Sequence, residues 1–239
     1  MSTMLTHLAE MGRRRQQLAA ERRQAEKAHA LAVLDHLAAY VRDTCPQAAY
    51  VAFAYHGSTR TLDLQGVLGA QPAPLSALPW LWDTNDAEHP LAMCGEALEQ
   101  DLQTALEPCY SPAWATVSVN KASDGNSWLL ELPPPDRHAR VSELVRHHHP
   151  AATAVVVDGR SAGGRVIEVI EPAADSGETR AKPRWSPECD ETVARLVAQM
   201  TVLPALREQH LRPVGADYAH PHGVSTSDLI RVMPLRPAQ

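Results

Sequence analysis

No proline occurs before Pro46 in a chain of 239 residues that carries nineteen of them. Residues 3–43 are rich in Ala, Leu, Gln, Glu and Arg, all good helix formers, with Gly12 as the one weak point. The pattern predicts a single long helix, stopped by Pro46, which lacks the N–H a further turn needs. Its apolar seam is discontinuous. Leu31, Leu34, Ala38 and Val41 step by three and four residues and mark a face that packs on a domain. Leu5, Leu8 and Met11 form a shorter patch near the other end. Between them, Arg13 to Lys27 is polar on nearly every face apart from Leu18 and alanines. That middle stretch is expected to project into solvent or to lie on a partner.

The charge of this helix sets it apart from the rest. Residues 12–27 hold six cations, Arg13, Arg14, Arg15, Arg22, Arg23 and Lys27, against Glu21 and Glu26. The local balance is +4 in a chain of net charge -6, which leaves the remainder near -10. Arg14 has Glu10, and Arg22 has Glu26, at the four-residue spacing that lets helix side chains meet. Arg15 has no acid three or four positions away, and Arg13 can reach only the Glu10 that Arg14 also claims. Arg13, Arg14, Arg15, Arg22 and Arg23 are therefore the candidate partner-binding residues. An acidic protein surface or a phosphate backbone would answer them, and a solvated helix with internal ion pairs is the plainer alternative.

The remainder reads as an α+β fold. Strands are expected at 49–55, 61–68, 114–120, 127–132, 153–158 and 165–171, paired as three hairpins. Helices are expected from Pro90 to Ala105, from Asp136 as N-cap to His148, and from Ser186 as N-cap to Leu203. Hairpins alternating with helices suggest an antiparallel sheet of about six strands covered by helices. Val155–Val157 and Val166–Ile170 are apolar on both faces and belong at its centre. The organisation expected is a basic helix over 1–45, a globular domain over 46–209, and a mostly irregular tail over 210–239, with Leu229–Met233 as one short strand. Residues 172–184 read as a polar loop.

Composition bounds the class. Hydrophobic residues make up 44%, enough for a core, and the core must be aliphatic because Phe53 is the only Phe. Nineteen Arg against three Lys, with abundant Ala and Pro, is the usage of a GC-rich bacterial genome. Cys45, Cys94, Cys109 and Cys189 have neither metal-ligand spacing nor the density of a disulfide scaffold. No apolar run approaches the ~18–20 residues of a membrane span, and no signal peptide opens the chain, so a cytoplasmic protein is expected.

Chemical motifs are weak. His147, His148 and His149 end a helix, where neighbours point about 100° apart and cannot all face one ion. His220 and His222 could share a side of an extended segment, but no third and fourth ligand stands nearby. Gly159–Gly164 lacks the Lys of a phosphate loop and precedes a strand, so it reads as a hairpin loop. Cys94 sits on an apolar helical stripe; Cys109, in a loop, is the better nucleophile candidate but has no recognisable base. Trp80 and Trp82 follow a Pro-rich loop and read first as core, with a ligand groove as the alternative.

The leading expectation is a non-enzymatic binding or regulatory module, associating with itself or a protein partner through its N-terminal helix, with no cofactor or metal. In pattern alone, the helix leading into a hairpin over about residues 30–70 is similar to the opening of GAF-like and PAS-like sensory domains. That likeness implies a small-ligand sensor. Nucleic-acid association, or an enzyme of another family, are the remaining readings.

Overall fold

The computed structural model describes residues 2–70, 79–106, 117–121, 127–159, 164–173, 177–215, 218 and 230–237. The expected helix is a single 43-residue element, α1 (Ser2–Thr44). After it come β1 (Ala48–His56), β2 (Thr61–Gly69) and β3 (Trp80–Asp83), then a 3-10 turn (Pro90–Cys94) running into α2 (Gly95–Leu106), then β4 (Val119–Lys121) and β5 (Ser127–Glu131). The second half repeats the plan: α3 (Arg137–His148), β6 (Ala154–Asp158), β7 (Arg165–Pro172), β8 (Glu178–Ala181), α4 (Pro187–Val202), α5 (Pro204–His210), β9 (Arg212–Pro213) and β10 (Ile230–Pro234).

The α+β class, the antiparallel pairing and the long leading helix are as the sequence predicts. The strands, however, divide between two sheets of five. The first has order β3-β2-β1-β5-β4 and the second β8-β7-β6-β10-β9. These orders are the same once each strand is renumbered within its half. The recurrence is thus twofold, helix, three strands, helix, two strands, where the sequence pattern suggests three hairpin units. The expected hairpins do form, β1 with β2, β4 with β5 and β6 with β7. What the pattern lacks, besides the two-residue β9, is β3, where Trp80 and Trp82 read first as core, and β8, read as polar loop. Both are short edge strands, and neither alternates. The short strand expected over Leu229–Met233 forms as β10, which lies between β6 and β9 inside the second sheet, and Pro133–Pro135 separates the elements of the two sheets in the sequence.

Each sheet carries its helices on one face. Leu34 and Val41 of α1, with Leu102 and Ala105 of α2, pack on Val51 and Phe53. Val141 and Val145 of α3, with Val193 and Met200 of α4, pack on Val155, Val157 and Met233. Burying a side chain of this kind contributes about 1.5–3 kcal/mol. As the two-sided apolar pattern predicts, β6 is the middle strand of its sheet, and Val156 faces a second cluster with Ile170, Tyr218 and Ile230.

The helix starts follow the expected caps. Ser186 accepts from the Cys189 N–H at 3.2 Å. Asp136 is extended, with φ -134, and its carboxylate accepts from the Ala139 N–H at 2.8 Å and from the Arg236 guanidinium. Burial alone would raise the Asp136 pKa, but the Ala139 N–H, Arg236 and His138 together outweigh it and hold it below the usual carboxylate value. A group lowered in this way stabilises the fold above its unfolded value of about 3.9, and that contribution fades as pH falls through the lower folded value. Asp136→Ala is expected to cost about 0.5–2 kcal/mol near neutral pH. The loss should shrink in urea titrations below about pH 4. An unchanged midpoint at neutral pH would contradict the capping role.

Candidate functional site

The two ends of α1 have different surroundings. From Ala30 onward it is anchored: Ala30, Leu31, Leu34, Leu37, Ala38 and Val41 are buried. From Thr6 to Glu26 every residue except Ala19 is exposed, including Leu8, Met11 and Leu18. Lys27 marks the transition, half-buried, with burial lowering its pKa. This arm is built of helix formers, yet a helix gains most of its stability from tertiary packing, and Gly12 in mid-arm costs about 1 kcal/mol against Ala.

The five candidate arginines all lie on the arm. Arg22 pairs with Glu26 at 2.7 Å, as the spacing predicts. Arg14 does not reach Glu10; it points to Gln17 Oε1 at 3.5 Å, and Gln17 in turn donates to Glu21. Arg13, Arg15 and Arg23 have no hydrogen-bond or ion-pair partner among the described residues. None of the five folds back onto an acid of the globular part among the described residues.

An opposite surface lies on the first unit. Residues 61–120 contain eight Asp and Glu and no Lys or Arg, a run that was present in the sequence and escaped the reading of charge by segment. Asp63 meets His56 at 2.7 Å and Asp101 meets His36 at 3.0 Å, while Glu99 accepts from the Leu64 N–H at 2.9 Å, Asp83 from Asn85 at 2.6 and 2.8 Å, and Asp86 from the Glu88 N–H at 3.2 Å. Asp83, Asp86, Glu88 and Glu96 meet no cation among the described residues. Among them Met93 is 92% exposed, beside Cys94, whose sulfur accepts from the Tyr40 hydroxyl at 2.6 Å.

No family model, curated protein or solved structure matches the chain.

The other sequence candidates disperse. Trp80 and Trp82 share β3 but not an environment: Trp82 is buried in the core, stacked on His89 with its Nε1–H to the Asp86 carbonyl, while Trp80 is 52% exposed. The three histidines also separate. His149 turns inward, donating from Nδ1 to Glu171 at 2.9 Å and accepting at Nε2 from the Arg184 N–H at 3.1 Å, while His147 and His148 stay on the helix end. No three His, Cys, Asp or Glu among the described residues converge as metal ligands. Cys45 is buried, and burial raises its thiol pKa, as it does that of Cys189. Cys109, His220, His222 and residues 160–163 lie outside the described residues. Asp158 and Arg165, which flank the glycine-rich segment, are paired across a hairpin, and the described element that follows it is β7, a strand. No helix among the described residues is long and apolar enough to cross a membrane.

A polar junction that the sequence did not signal joins the units. Arg137, 5% exposed, spans from α1 to α4: its terminal nitrogens hold Asp35 at 2.5 and 3.1 Å, and its Nε donates to Gln199 at 2.7 Å. Arg42 caps the end of the first unit at the Leu132 and Pro133 carbonyls, and Arg195 pairs with Glu131 at 2.7 Å. A cavity of about 590 Å³ adjoins these groups. In it His138 stacks on His210 at 4.2 Å and donates from Nε2 to the Pro234 carbonyl, leaving Nδ1 buried and without a partner among the described residues. Burial, then the neighbouring His138, lowers the His210 pKa. The cations here are occupied by each other's acids and carbonyls, which suits a structural joint better than a site for an incoming anion.

Proposed function

We propose that this chain is a non-enzymatic association module whose N-terminal helix docks on an acidic protein surface. The observation that carries the reading is the uncovered arm, in which Leu8, Met11 and Leu18 stand exposed beside arginines with no acid to neutralise them. Most helical stability in proteins comes from packing an apolar face, so a surface that covers the arm stabilises it. Apolar residues interleaved with cations suit a protein surface, where burial and charge complementarity act together. Nucleic acid is the poorer fit, because the remainder of the chain stands near -10 and repels phosphate. A sensor reading that rests on Trp80 and Trp82 loses its groove, since Trp82 packs in the core.

Fluorescence anisotropy of labelled poly-L-glutamate and of a short DNA duplex, at low chain concentration, tests this. Poly-L-glutamate is expected to bind saturably, and R13E/R14E/R15E to weaken it by roughly tenfold or more. Equal binding by the triple variant, or tighter binding of the duplex, overturns the reading.

A further inference from the structure

We infer that the surface covering the arm is a second copy of this chain, with the two α1 helices antiparallel and each arm lying along the root of the other. The inference rests on the association reading and names its partner.

Three observations carry it. First, the exposed apolar residues of the arm and of the root share a side. At 100° per residue, Leu8, Met11, Leu18 and Tyr40 fall within a sector of roughly 80°. That sector lies roughly 145° around the helix from Leu31, Leu34, Ala38 and Val41, which face the core. Tyr40 is exposed and touches Cys94, next to the exposed Met93. The same side of α1 therefore carries Leu8, Met11 and Leu18 uncovered in the arm and Tyr40, next to Met93, uncovered at the root, an arrangement that a twofold pairing can use twice.

Second, the charges match only between copies. Arg15 and Arg22 fall within that sector, between the apolar residues, and Arg14 about 40° beyond its edge, while the segment around Met93, which has no Lys or Arg, holds Glu88 and Glu96 without partners among the described residues. Within one chain they cannot meet. Arg15 precedes His36, the residue that touches Asp101 of α2, by 21 positions, which is about 32 Å of helix. A parallel pairing would set arginine against arginine, whereas an antiparallel one brings each basic arm to the other copy's acidic root.

Third, the size suffices. An arm of about 30 Å by about 10 Å covers some 300 Å² on each of two faces, and two arms give on the order of 1,200 Å² in all, the lower end of a specific interface.

Sedimentation velocity of the full chain from about 1 to about 100 µM, at about 50 and about 500 mM salt, reads the result. A dimer is expected that loosens at high salt. R14E/R15E/R22E and E88R/E96R should each be monomeric over that range. Mixed in equal amounts they should dimerise, because both arm contacts are then again of opposite charge. Three outcomes overturn the inference: a full chain that stays monomeric, single variants that dimerise like the parent, or monomeric variants that fail to pair on mixing. A monomeric full chain that still binds poly-L-glutamate through its arm would sink the self-pairing alone and leave the association reading standing.

Discussion

Arg137→Met should turn one cooperative thermal transition into two. Arg137 is the buried link between α1 and α4, and Met keeps most of its volume while removing all its donors. Breaking a buried pair by deleting one partner costs about 3–5 kcal/mol, because the other charge stays behind. Asp35 retains some contact with water, so about 2–4 kcal/mol is the reasonable expectation, part of it from Gln199, which is buried and loses this donor. Each unit keeps its own apolar cluster, so losing the link should uncouple them before it unfolds either. Differential scanning calorimetry would read this as a split or broadened endotherm. Adding Asp35→Ala should recover part of the loss, since no unpaired carboxylate then remains. A single transition at the parent's temperature would mean that the units are held together by something other than this guanidinium.

The second large effect is expected at Gly66. Its φ is +151, a backbone conformation that side chains rarely adopt, and it pairs with Asp83 where β2 meets β3. A Cβ there would lie 2.3 Å from the Trp82 carbonyl oxygen and 2.9 Å from the Trp80 ring. The nearer neighbour is backbone and cannot turn aside, so Gly66→Ala must push β3 off its partner. The cost should be about 2–4 kcal/mol, the upper part of the range for overpacked sites. Tryptophan emission should shift to the red as Trp82 gains water. Gly12, with nothing within 4 Å, has no such constraint, and the two glycines give a direct contrast.

That contrast also marks how far the sequence could be read. Elements with strong periodicity were legible: the stripe from Leu31 to Val41, the valines of β6, and the caps Asp136 and Ser186 all lie where their patterns put them. β3 and β8 were not, because an edge strand of four residues buries little and needs no alternation; Glu178, Thr179 and Arg180 are simply exposed. The same weakness hid the twofold plan, since without those strands the hairpins count as three. The arm was legible from the absence of an apolar seam between Arg13 and Lys27. The acidic character of residues 61–120 was not, because that signal is sixty residues of missing cations and shows only over the whole stretch. Nor could spacing foretell Arg137 with Asp35, a bond across 102 residues that exists only after both units have formed.

The strand orders have a consequence for biosynthesis. All five strands of the first sheet have been made once Glu131 is translated, so that unit can close early. The second cannot, because Ile230–Pro234 must slot beside β6 in the interior of its sheet. Until Ile230–Pro234 is made, the side of β6 that β10 covers stays an unpaired apolar edge on the emerging polypeptide, beside a first unit that can already have closed.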